Sequence, residues 1–304
     1  LLDIVNKIKK EHNFKISLFH INYNMQKNSK LSENHCTLLS KKYNCNLQIK
    51  NTKLSNKNFE SNARNYRYKE LNKYANKKNI NLILTAHHFD DQIETLYMRN
   101  ILNTDWIAYL GIRTKYNKIL RPLISIRKKD IIKYANTYKL SWIYDTSNDD
   151  IRILRNKIRL KVLPDLFKKN PLLESELLKK NKRSIVKYKS LQKWLKNNSG
   201  RYIVDNNTQY IIISNKTKKI NDLVKFKIFY KNVITEYLNI STKIDFSNRF
   251  WNELYKFLNN ASIGGKYFIG DKITIIKDRD NHYLFKNEFY KKKESYRLES
   301  NNIN

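Results

Sequence analysis

Apolar residues recur along the first half of the chain in two alternating rhythms. Helical spacing in LLDIVNKIKK gives way to the strand-like FKISLFHIN. The alternation then continues through LSENHCTLLSKKY, NLQIK, FESNARNYRYKELNKYANKK, NLILTA and DDQIETLYMRNIL. Strands that alternate with helices are typical of βαβ crossovers, in which helices cover a parallel sheet. The pattern predicts an α/β domain with a Rossmann-like, doubly wound parallel sheet at residues 1–160.

The pattern changes at about Ile151. Two Lys-rich stretches, 151–168 and 171–197, have helical spacing and contain no convincing strand. We therefore expect a helical connector at residues 161–198.

Short strand and helix patterns return after the connector. NNSGRYIVDNNTQYIIIS predicts a hairpin, residues 220–239 and 246–259 predict helices, and YFIGDKITIIKDRDNHYLF predicts short strands. These elements indicate a small α+β domain at residues 199–304.

The chain is strongly basic. Lysine and arginine total 61 against 27 aspartate and glutamate, which gives a formal net charge of +34. Such a charge attracts polyanions, and nucleic acid is the expected partner. The alternative is AT-rich coding, which would also enrich the chain in Asn, Lys, Ile and Tyr and leave many lysines as solvated surface.

Two compositional features place the protein in a cellular compartment. No apolar stretch approaches the roughly 20 residues that cross a bilayer, and the start of the chain lacks the layout of a signal peptide. The cysteines, Cys36 and Cys45, form neither a disulfide framework nor a zinc pattern. We expect a cytoplasmic protein with reduced thiols and no membrane partner.

Residues 85–95, TAHHFDDQIET, join a predicted strand to a predicted helix. Ligands of doubly wound sheets bind at such turns, outside the carboxyl ends of the strands. Asp91 and Glu94 stand three apart and would share a helix face that suits Mg²⁺, while Asp90 or Asp91 would cap the helix. The alternative is a cap with two solvated carboxylates. His87 and His88 suggest phosphate contact, because zinc would need a further soft ligand.

Two further segments concentrate arginines. In FESNARNYRYKEL, Glu60, Arg64 and Arg67 share a helical face and predict a fork for phosphate or carboxylate, or else a surface salt-bridge ladder. The second segment combines Arg121 before a proline, Arg127 at a helix start, the polar turn Asp145, Ser147 and Asn148, and a helix face with Arg155, Asn156 and Arg159. These arginines would meet RNA phosphates or an adenylate, although a basic helix alone is more often a solvated face.

In combination these segments resemble the tRNA(Ile)-lysidine synthetases of the PP-loop (N-type ATP pyrophosphatase) superfamily, in order from Leu1 to about Pro171. Residues Ala86 to Thr95 match the family's Ala-His-His-x-Asp-Asp-Gln-x-Glu-Thr fully. The other matches are Arg121 to Leu123 with Arg-Pro-Leu, Asp145 to Asn148 with Asp-x-Ser-Asn, Arg155 to Arg159 with Arg-Asn-x-x-Arg, Glu60 to Tyr68 approximately with Glu-x-x-Ala-Arg-x-x-Arg-Tyr, and His20 to Gln26 with His-Val-Asn-His-Gly-Leu-Arg.

The chain departs from the family in two places. The phosphate loop Ser-Gly-Gly-x-Asp-Ser is not present, since the first glycine is Gly111 and the sequence opens with LLDIV without an initiator Met. We interpret the chain as N-terminally clipped, because such a loop supplies the amides that hold ATP phosphates. The second departure lies in HINYNMQ, where Tyr23, Asn24 and Gln26 replace the family's His, Gly and Arg.

The resemblance implies a ligase that uses ATP to adenylate the wobble cytidine of a tRNA(Ile) with a CAU anticodon and then attaches L-lysine at C2. It implies ATP and Mg²⁺ as cofactors and a small tRNA-binding domain at residues 199–304, and it is compatible with a homodimer. The implied roles are catalysis for Asp91, Glu94, Arg64 and Arg155, with Mg²⁺ on Asp91 and Glu94; ATP binding for His20, Asn22, His87, His88 and Arg121; and substrate binding for Glu60, Arg67, Asp145, Asn148 and Arg159. Glu60 or Asp145 would hold the lysine ammonium.

Three alternatives compete with this reading. Another PP-loop activity, thiolation of a tRNA base, usually needs cysteines that Cys36 and Cys45 fit poorly. A non-catalytic tRNA-binding module would suit a chain of charge +34 without a phosphate loop. A zinc or di-metal hydrolase built on the HHxDD sequence would hold stoichiometric metal.

Overall fold

Helices and strands alternate through the first of two compact units, Leu1–Ser184, and the second unit is Ile185–Asn304. The computed structural model describes residues 1–24, 29–55, 59–207, 209–220, 222–238 and 247–289. The predicted division into residues 1–160, 161–198 and 199–304 stays a prediction. The elements of the first unit are α1 (Leu2–Glu11), β1 (Ser17–Asn22), α2 (Ser29–Lys42), β2 (Asn46–Asn51), α3 (Phe59–Lys77), β3 (Ile83–Leu84), α4 (Phe89–Ile101), β4 (Lys115–Tyr116), β5 (Ile119–Leu120) and α5 (Lys128–Thr137).

Parallel pairing joins the strands that the α/β pattern predicts. β1 pairs with β2 in parallel from Ser17 opposite Asn46 to Asn22 opposite Asn51, and β3 pairs with β5 in parallel. β4 adds to β5 in the antiparallel direction. Among the described residues, these strands form two sheets, β1-β2 and β3-β5-β4. The α/β prediction with a parallel sheet and flanking helices is confirmed.

β3 is shorter than the strand predicted from NLILTA. Ladder pairing covers Ile83 and Leu84, and two further backbone hydrogen bonds continue its direction: the Ile83 amide donates to the carbonyl of Lys118 and the Thr85 amide to that of Leu120. Ile83 is buried with Ala75 and Ile119 in a small core beneath α3. The strand therefore leads through Thr85 into the turn before α4, which begins at Phe89.

A helical run follows the α/β elements. It consists of α6 (Leu154–Lys157), a π-helical turn (Ile158–Val162), α7 (Leu163–Lys169) and α8 (Leu173–Tyr202). Ile158, Leu163 and Leu177 pack on Ile93 and Leu96 of α4 in a buried cluster. This packing sets the polar face of α4 against the arginines of the run. The predicted helical stretches at 151–168 and 171–197 agree with these elements.

The second unit is built on an antiparallel sheet of order β6-β7-β10-β9-β8. The strands are β6 (Ile203–Asn206), β7 (Tyr210–Ser214), β8 (Lys266–Ile269), β9 (Ile273–Lys277) and β10 (Asn281–Lys286), and the helices are α9 (Leu223–Asn232) and α10 (Asn248–Asn260). The predicted hairpin is β6-β7. The two predicted helices, 220–239 and 246–259, correspond to α9 and α10, and residues 221, 239 and 246 of these predictions lie outside the described residues. Both helices cover the sheet with buried side chains such as Phe229 and Leu254.

Across the described residues, no helix combines the length with the apolar character that a membrane crossing demands.

Candidate active site

The turn before α4 is closed by a capping box. α4 begins at Phe89, and its N-cap is His88, whose Nδ1 accepts from the Asp91 amide at 3.4 Å. Asp91 Oδ2 in return accepts from the His88 amide at 3.0 Å. The prediction that Asp90 or Asp91 is the N-cap is wrong. Because the helix starts one residue before Asp90, Asp91 falls at the third helical position, from which it reaches back to the cap.

Asp90 instead serves another helix. Its Oδ2 accepts a hydrogen bond from the amide of Lys128, the first residue of α5, at 2.7 Å. The N-cap of α5 is Arg127, whose own side chain makes no capping hydrogen bond. Since the first amides of a helix have no partner within it, Asp90 supplies the cap from α4 and ties the two helix starts together.

Two carboxylates of α4 meet two arginines of the helical run. Glu94 Oε1 lies 2.6 Å from Arg159 Nε, and Glu94 Oε2 lies 2.8 Å from Arg155 Nε and 3.0 Å from Arg159 Nη2. Asp91 Oδ1 is 3.3 Å from Arg155 Nη2 and 3.5 Å from Arg159 Nη2. We call Asp91, Glu94, Arg155 and Arg159 the arginine clamp. The predicted face with Asp91 and Glu94 and the predicted face with Arg155 and Arg159 are therefore both present, and they contact each other.

Burial makes the arginine clamp rigid. Glu94 is 1% exposed, so its charge depends on the two guanidiniums for compensation. The hydrogen bond to Glu94 raises the pKa of Arg159, against an opposing effect of burial. Charge-assisted hydrogen bonds of this kind are directional and hold both partners in place.

The donor set of the arginine clamp does not fit the predicted Mg²⁺. Both oxygens of Glu94 already accept from guanidiniums, and Asp91 divides its oxygens between the arginines and the His88 amide. A divalent cation needs carboxylate oxygens that are free of competing cations. Among the described residues, no group of three His, Cys, Asp or Glu side chains is placed to hold a metal. We therefore assign Glu94 to the arginines and no metal to this pair.

His87 is a neutral imidazole surrounded by charged groups. Burial lowers the pKa of His87 to about 4, Asp91 raises it in part, and Arg121, Arg64 and Arg155 lower it further. A hydrogen bond of 2.9 Å joins His87 Nδ1 to Thr85 Oγ1. The fold thus brings Arg64, Arg121 and Arg155, which come from three separate sequence segments, near His87 at the end of β3.

Arg121 is the most enclosed of these arginines. It is 5% exposed, donates from Nη1 to the carbonyl of Arg113 at 2.7 Å and lies 3.4 Å from the Tyr68 hydroxyl. Its Nε is buried with no partner among the described residues. Arg121 is therefore held inside the protein by its contacts with Arg113 and Tyr68, and its guanidinium has little freedom to contact a ligand.

Glu60, Arg64 and Arg67 are exposed on α3. Among the described residues no ion pair joins Glu60 to Arg64, so the predicted orientation of Arg64 by Glu60 is not observed. The Arg64 guanidinium instead lies 5.2 Å from the ring centroid of Tyr68. An arginine that is exposed, placed over an aromatic ring and within the electrostatic range of His87 can receive an anion at little desolvation cost.

His20 and Asn22 lie at the carboxyl end of β1. Asn22 is buried, donates to Glu33 at 3.0 Å and accepts from the Asn24 amide at 2.9 Å. His20 Nε2 is buried without a partner among the described residues, and burial lowers the pKa of His20. Asn22 thus links the end of β1 to Glu33 of α2 and holds the Asn24 amide, and the ATP-binding role predicted for His20 and Asn22 stays a prediction.

The segment before α6 is a tight polar turn. Asp145 Oδ1 accepts from the amide and the hydroxyl of Ser147, and a 3-10 helix spans Thr146–Asp149. Asn156 is buried and donates to the carbonyls of Ser147 and Asp150 at 2.7 and 3.1 Å. Asn156 therefore fastens the turn to the helix that carries Arg155. The substrate roles of Asp145 and the exposed Asn148 stay predictions.

Gln92 has a role that the sequence did not reveal. Its side chain is buried, and Oε1 accepts from the Ile112 amide at 2.6 Å. The neighbouring Gly111 has a φ of +58°, and a Cβ there would lie 2.7 Å from Gln92 Oε1. The positive φ favours glycine at this position, and a Cβ there would push the Gln92 amide away from the Ile112 amide that it holds. Gln92 anchors this loop to α4.

The fold and the site together define a PP-loop protein, since the PP-loop domain family matches residues 1–166. The chain is 31% identical to a tRNA(Ile)-lysidine synthase of Mycoplasma mycoides over 288 residues, covering 90% of this chain and 67% of the relative. Relatives of the same name from Buchnera aphidicola and Wigglesworthia glossinidia are 32% and 29% identical, with 82% and 91% of this chain and 63% and 76% of the relatives covered. The chain belongs to the tRNA(Ile)-lysidine synthase family of PP-loop proteins.

The chain spans about two thirds of the length of the first two relatives. Among solved structures, a U34-tRNA thiolase from Methanococcus maripaludis with a [4Fe-4S] cluster matches 60% of this chain and 65% of its own, at 16% identity and a TM-score of 0.49. A likeness this distant supports no inference about the present chain.

Proposed function

We propose that the protein forms lysidine on tRNA(Ile) with a CAU anticodon, using ATP and L-lysine. The supporting observation is the arginine clamp next to the neutral His87 in a chain of this family. ATP adenylates O2 of the wobble cytidine and pyrophosphate leaves. The lysine ε-nitrogen then forms a bond to C2, the C2–O2 bond breaks, AMP departs with its electron pair, and the ε-nitrogen gives up protons to the surroundings.

The charges at the turn assign different roles to the arginines. The arginine clamp is neutral, because the two guanidiniums face the two carboxylates of Asp91 and Glu94. Surplus positive charge near His87 therefore comes from Arg64 and Arg121, and Arg121 is buried with its Nη1 and Nη2 engaged. Arg64 is the residue we propose to contact the phosphate on which charge develops. Fixed donors aimed at developing charge are among the largest contributions to catalysis.

The arginine clamp holds the guanidiniums of Arg155 and Arg159 in fixed positions. Glu94 fixes Arg155 and Arg159 through their Nε atoms, so their positions do not depend on a bound ligand. A preorganised site avoids reorganisation during the reaction. We propose that Arg155 and Arg159 line the place where the adenylated base lies, and that no step depends on a metal held by Asp91 and Glu94.

His87 acts as a hydrogen-bonding group. With a pKa of about 4 it is neutral at pH 7 and a weak base, so general-base removal of a lysine proton does not suit it. Thr85 occupies Nδ1, which leaves Nε2 for a phosphate or base oxygen.

The cysteines argue against thiolation. Burial raises the pKa of both Cys36 and Cys45, so neither is set up as a thiolate nucleophile. The net charge of +34 supports tRNA as the macromolecular partner, and we place the reaction in the cytoplasm. A homodimer stays a prediction.

The decisive experiment uses the full-length protein, ATP, radiolabelled L-lysine and a tRNA(Ile) transcript with a CAU anticodon. We expect ATP-dependent incorporation of lysine together with release of AMP and pyrophosphate. The matched control is the same transcript with a UAU anticodon, which offers no wobble cytidine and should accept no lysine. Tight tRNA binding without ATP turnover would favour a binding module instead.

The Asp91→Asn variant tests the site within that assay. We expect it to slow pyrophosphate release severely and to leave tRNA affinity nearly unchanged, because Asp91 serves the geometry of the turn and not the grip on the tRNA. Loss of tRNA affinity to the same degree would place Asp91 in an RNA-binding surface.

A further inference from the structure

Three bulky side chains in a row are exposed to solvent just before the polar turn of the first unit. Trp142, Ile143 and Tyr144 have exposed fractions of 55%, 37% and 56%. Single exposed apolar side chains are common on protein surfaces, whereas a run of consecutive ones is typical of a binding surface. Among the described residues, the Trp142 side chain has no hydrogen bond and no contact with another aromatic ring. A ligand would therefore meet this ring without breaking a protein contact of that kind.

The ring of Tyr144 is held at its far end. Its hydroxyl donates a hydrogen bond to Oδ1 of Asp149, the last residue of the 3-10 helix in the polar turn. This hydrogen bond restricts the rotamers of Tyr144, although more than half of the residue stays exposed. Less conformational entropy is lost when a ligand binds to a side chain that is already restricted.

Tyr144 lies close to the arginine clamp. The hydrogen bond to Asp149 raises the pKa of Tyr144, and the charge of Arg159 partly opposes that rise, which places the Tyr144 hydroxyl within the electrostatic range of this guanidinium. The polar turn is also fastened to the helix of Arg155, through two hydrogen bonds that Asn156 donates to its carbonyls. The exposed run 142–144 therefore lies beside the place proposed for the adenylated base.

The proposed reaction produces unstacked bases at this place. The amine has to reach C2 of the wobble cytidine, so the cytidine must leave the stack of the anticodon loop, and its neighbours then lose a stacking partner. Aromatic side chains replace such a partner, because single-stranded RNA is commonly bound by bases that stack on exposed rings. The net charge of +34 favours the approach of the RNA backbone to the same chain.

We propose that Trp142 and Tyr144 form a stacking platform for the unpaired bases that flank the wobble cytidine of the tRNA. The inference rests on the proposed function and assigns two residues that hold the RNA in place for it. The stacking platform is tolerant of base identity, because every base has an aromatic face. Its contribution is to affinity and to the position of the loop, and selection of the CAU anticodon depends on other contacts.

The first test measures binding of a fluorescently labelled RNA hairpin that reproduces the anticodon arm, by anisotropy with the full-length protein. We expect Trp142→Leu and Tyr144→Leu each to weaken binding about tenfold, because leucine is apolar but offers no ring, whereas Trp142→Phe should keep most of the affinity. The matched control is Tyr116→Leu, which removes an aromatic residue of 45% exposure from β4 and should leave the affinity unaltered. Wild-type affinity in both leucine variants of the stacking platform would overturn the proposal.

The second test combines the protein variants with hairpins that lack one base on either side of the wobble cytidine. Removing the base that stacks on Trp142 should weaken binding to the wild-type protein about tenfold and hardly change binding to Trp142→Leu, because the contact is already lost there. This ratio is insensitive to a general loss of folded protein, since both RNAs are measured on the same sample. Equal penalties in the two proteins for both abasic hairpins would contradict the stacking contact.

The outcomes separate the stacking platform from the function. Lysine incorporation with an unchanged KM for tRNA in both leucine variants would overturn the stacking platform and leave the function intact. Hairpin binding that depends on both rings, without any incorporation of lysine, would support the stacking platform and contradict the proposed function. A changed sedimentation coefficient in Trp142→Leu with unchanged RNA affinity would also overturn the proposal, and it would assign the exposed run to an interface between two copies of the chain.

Discussion

The Oε1 atom of Glu94 lies 2.6 Å from the Nε atom of Arg159, a residue 65 positions later in the chain. The same carboxylate reaches Arg155 through its other oxygen, so one buried acid orients two guanidiniums. Neither arginine can turn away without leaving a buried charge uncompensated. The position of these arginines is thus built into the folded state before any ligand arrives.

Replacing Glu94 by Gln should destabilise the first unit. The amide keeps the size of the side chain but removes the charge that compensates both guanidiniums, so we expect a loss of about 2 kcal/mol in the free energy of unfolding. Urea denaturation measures it. Glu253→Gln, which removes an exposed carboxylate paired with Arg249, should lower the free energy of unfolding by less than about 0.5 kcal/mol. Equal losses of unfolding free energy in Glu94→Gln and Glu253→Gln would show that the burial of Glu94 does not strengthen its ion pairs.

Arg64→Gln should slow the reaction without lowering the stability of the fold. Arg64 is exposed, so its removal should leave the urea midpoint unchanged, whereas pyrophosphate release at saturating tRNA should slow about 100-fold with the loss of a charge-stabilising donor. Arg99, which is exposed on α4, provides the control variant Arg99→Gln. An Arg64→Gln enzyme with normal turnover would remove Arg64 from the proposed mechanism.

Acid should weaken the folded state through His87. Its folded pKa of about 4 lies below the ordinary 6.5, so between these values the unfolded chain binds a proton that the folded chain does not. The free energy of unfolding should therefore fall as the pH drops from about 6.5 to about 4. His87→Gln should flatten this dependence in part, because burial lowers the pKa of His282 as well and that residue acts in the same direction.

NMR titration of the histidine ring protons provides the direct check on His87. Its resonance should move with a midpoint near pH 4, and assignment follows from its disappearance in His87→Gln. A midpoint near 6.5 would mean that the imidazole is accessible to water in the folded protein, and the hydrogen-bonding role assigned to a neutral ring would fail.

Asp90→Ala should loosen the start of α5. The Lys128 amide would lose its cap, and caps of this kind contribute about 1 kcal/mol. Thermal unfolding should show a corresponding decrease in Tm. Asp271→Ala removes a highly exposed carboxylate and should leave the Tm unchanged. Exchange of the α5 amides with solvent should quicken in the Asp90 variant alone.

Helical periodicity explains what could be predicted at the site. A spacing of three placed Asp91 and Glu94 on one face, and a spacing of four placed Arg155 and Arg159 on another. The meeting of these faces was not predictable from spacing, because it depends on Ile158 and Leu163 packing against Ile93 and Leu96 across a long stretch of chain. In the sequence alone, Asp91 and Glu94 stand without the arginines that pair with them, and two carboxylates on one helix face then predict a metal site.

The cap of α4 shows a second limit of sequence patterns. Histidine is not among the usual N-cap residues, so the aspartates after it were the natural candidates. The geometry of β3 decides otherwise: the strand ends at Leu84, and α4 already begins at Phe89. Asp90 is thereby freed for α5, a relationship between distant segments that no local pattern encodes.

The π-helical turn at Ile158–Val162 lies between Arg155 of the arginine clamp and Leu163, which is buried against α4. A π turn holds one residue more than the regular helix on either side of it. Deleting one residue there, such as the exposed Lys161, would let the run wind as a continuous α-helix and would keep Leu163 on the same side as Ile158, since a spacing of four residues also places two side chains on one helical face. Loss of one triplet in the coding sequence is therefore easier to accommodate at this turn than in a regular stretch of helix, because the run would keep its buried face against Ile93 and Leu96 of α4.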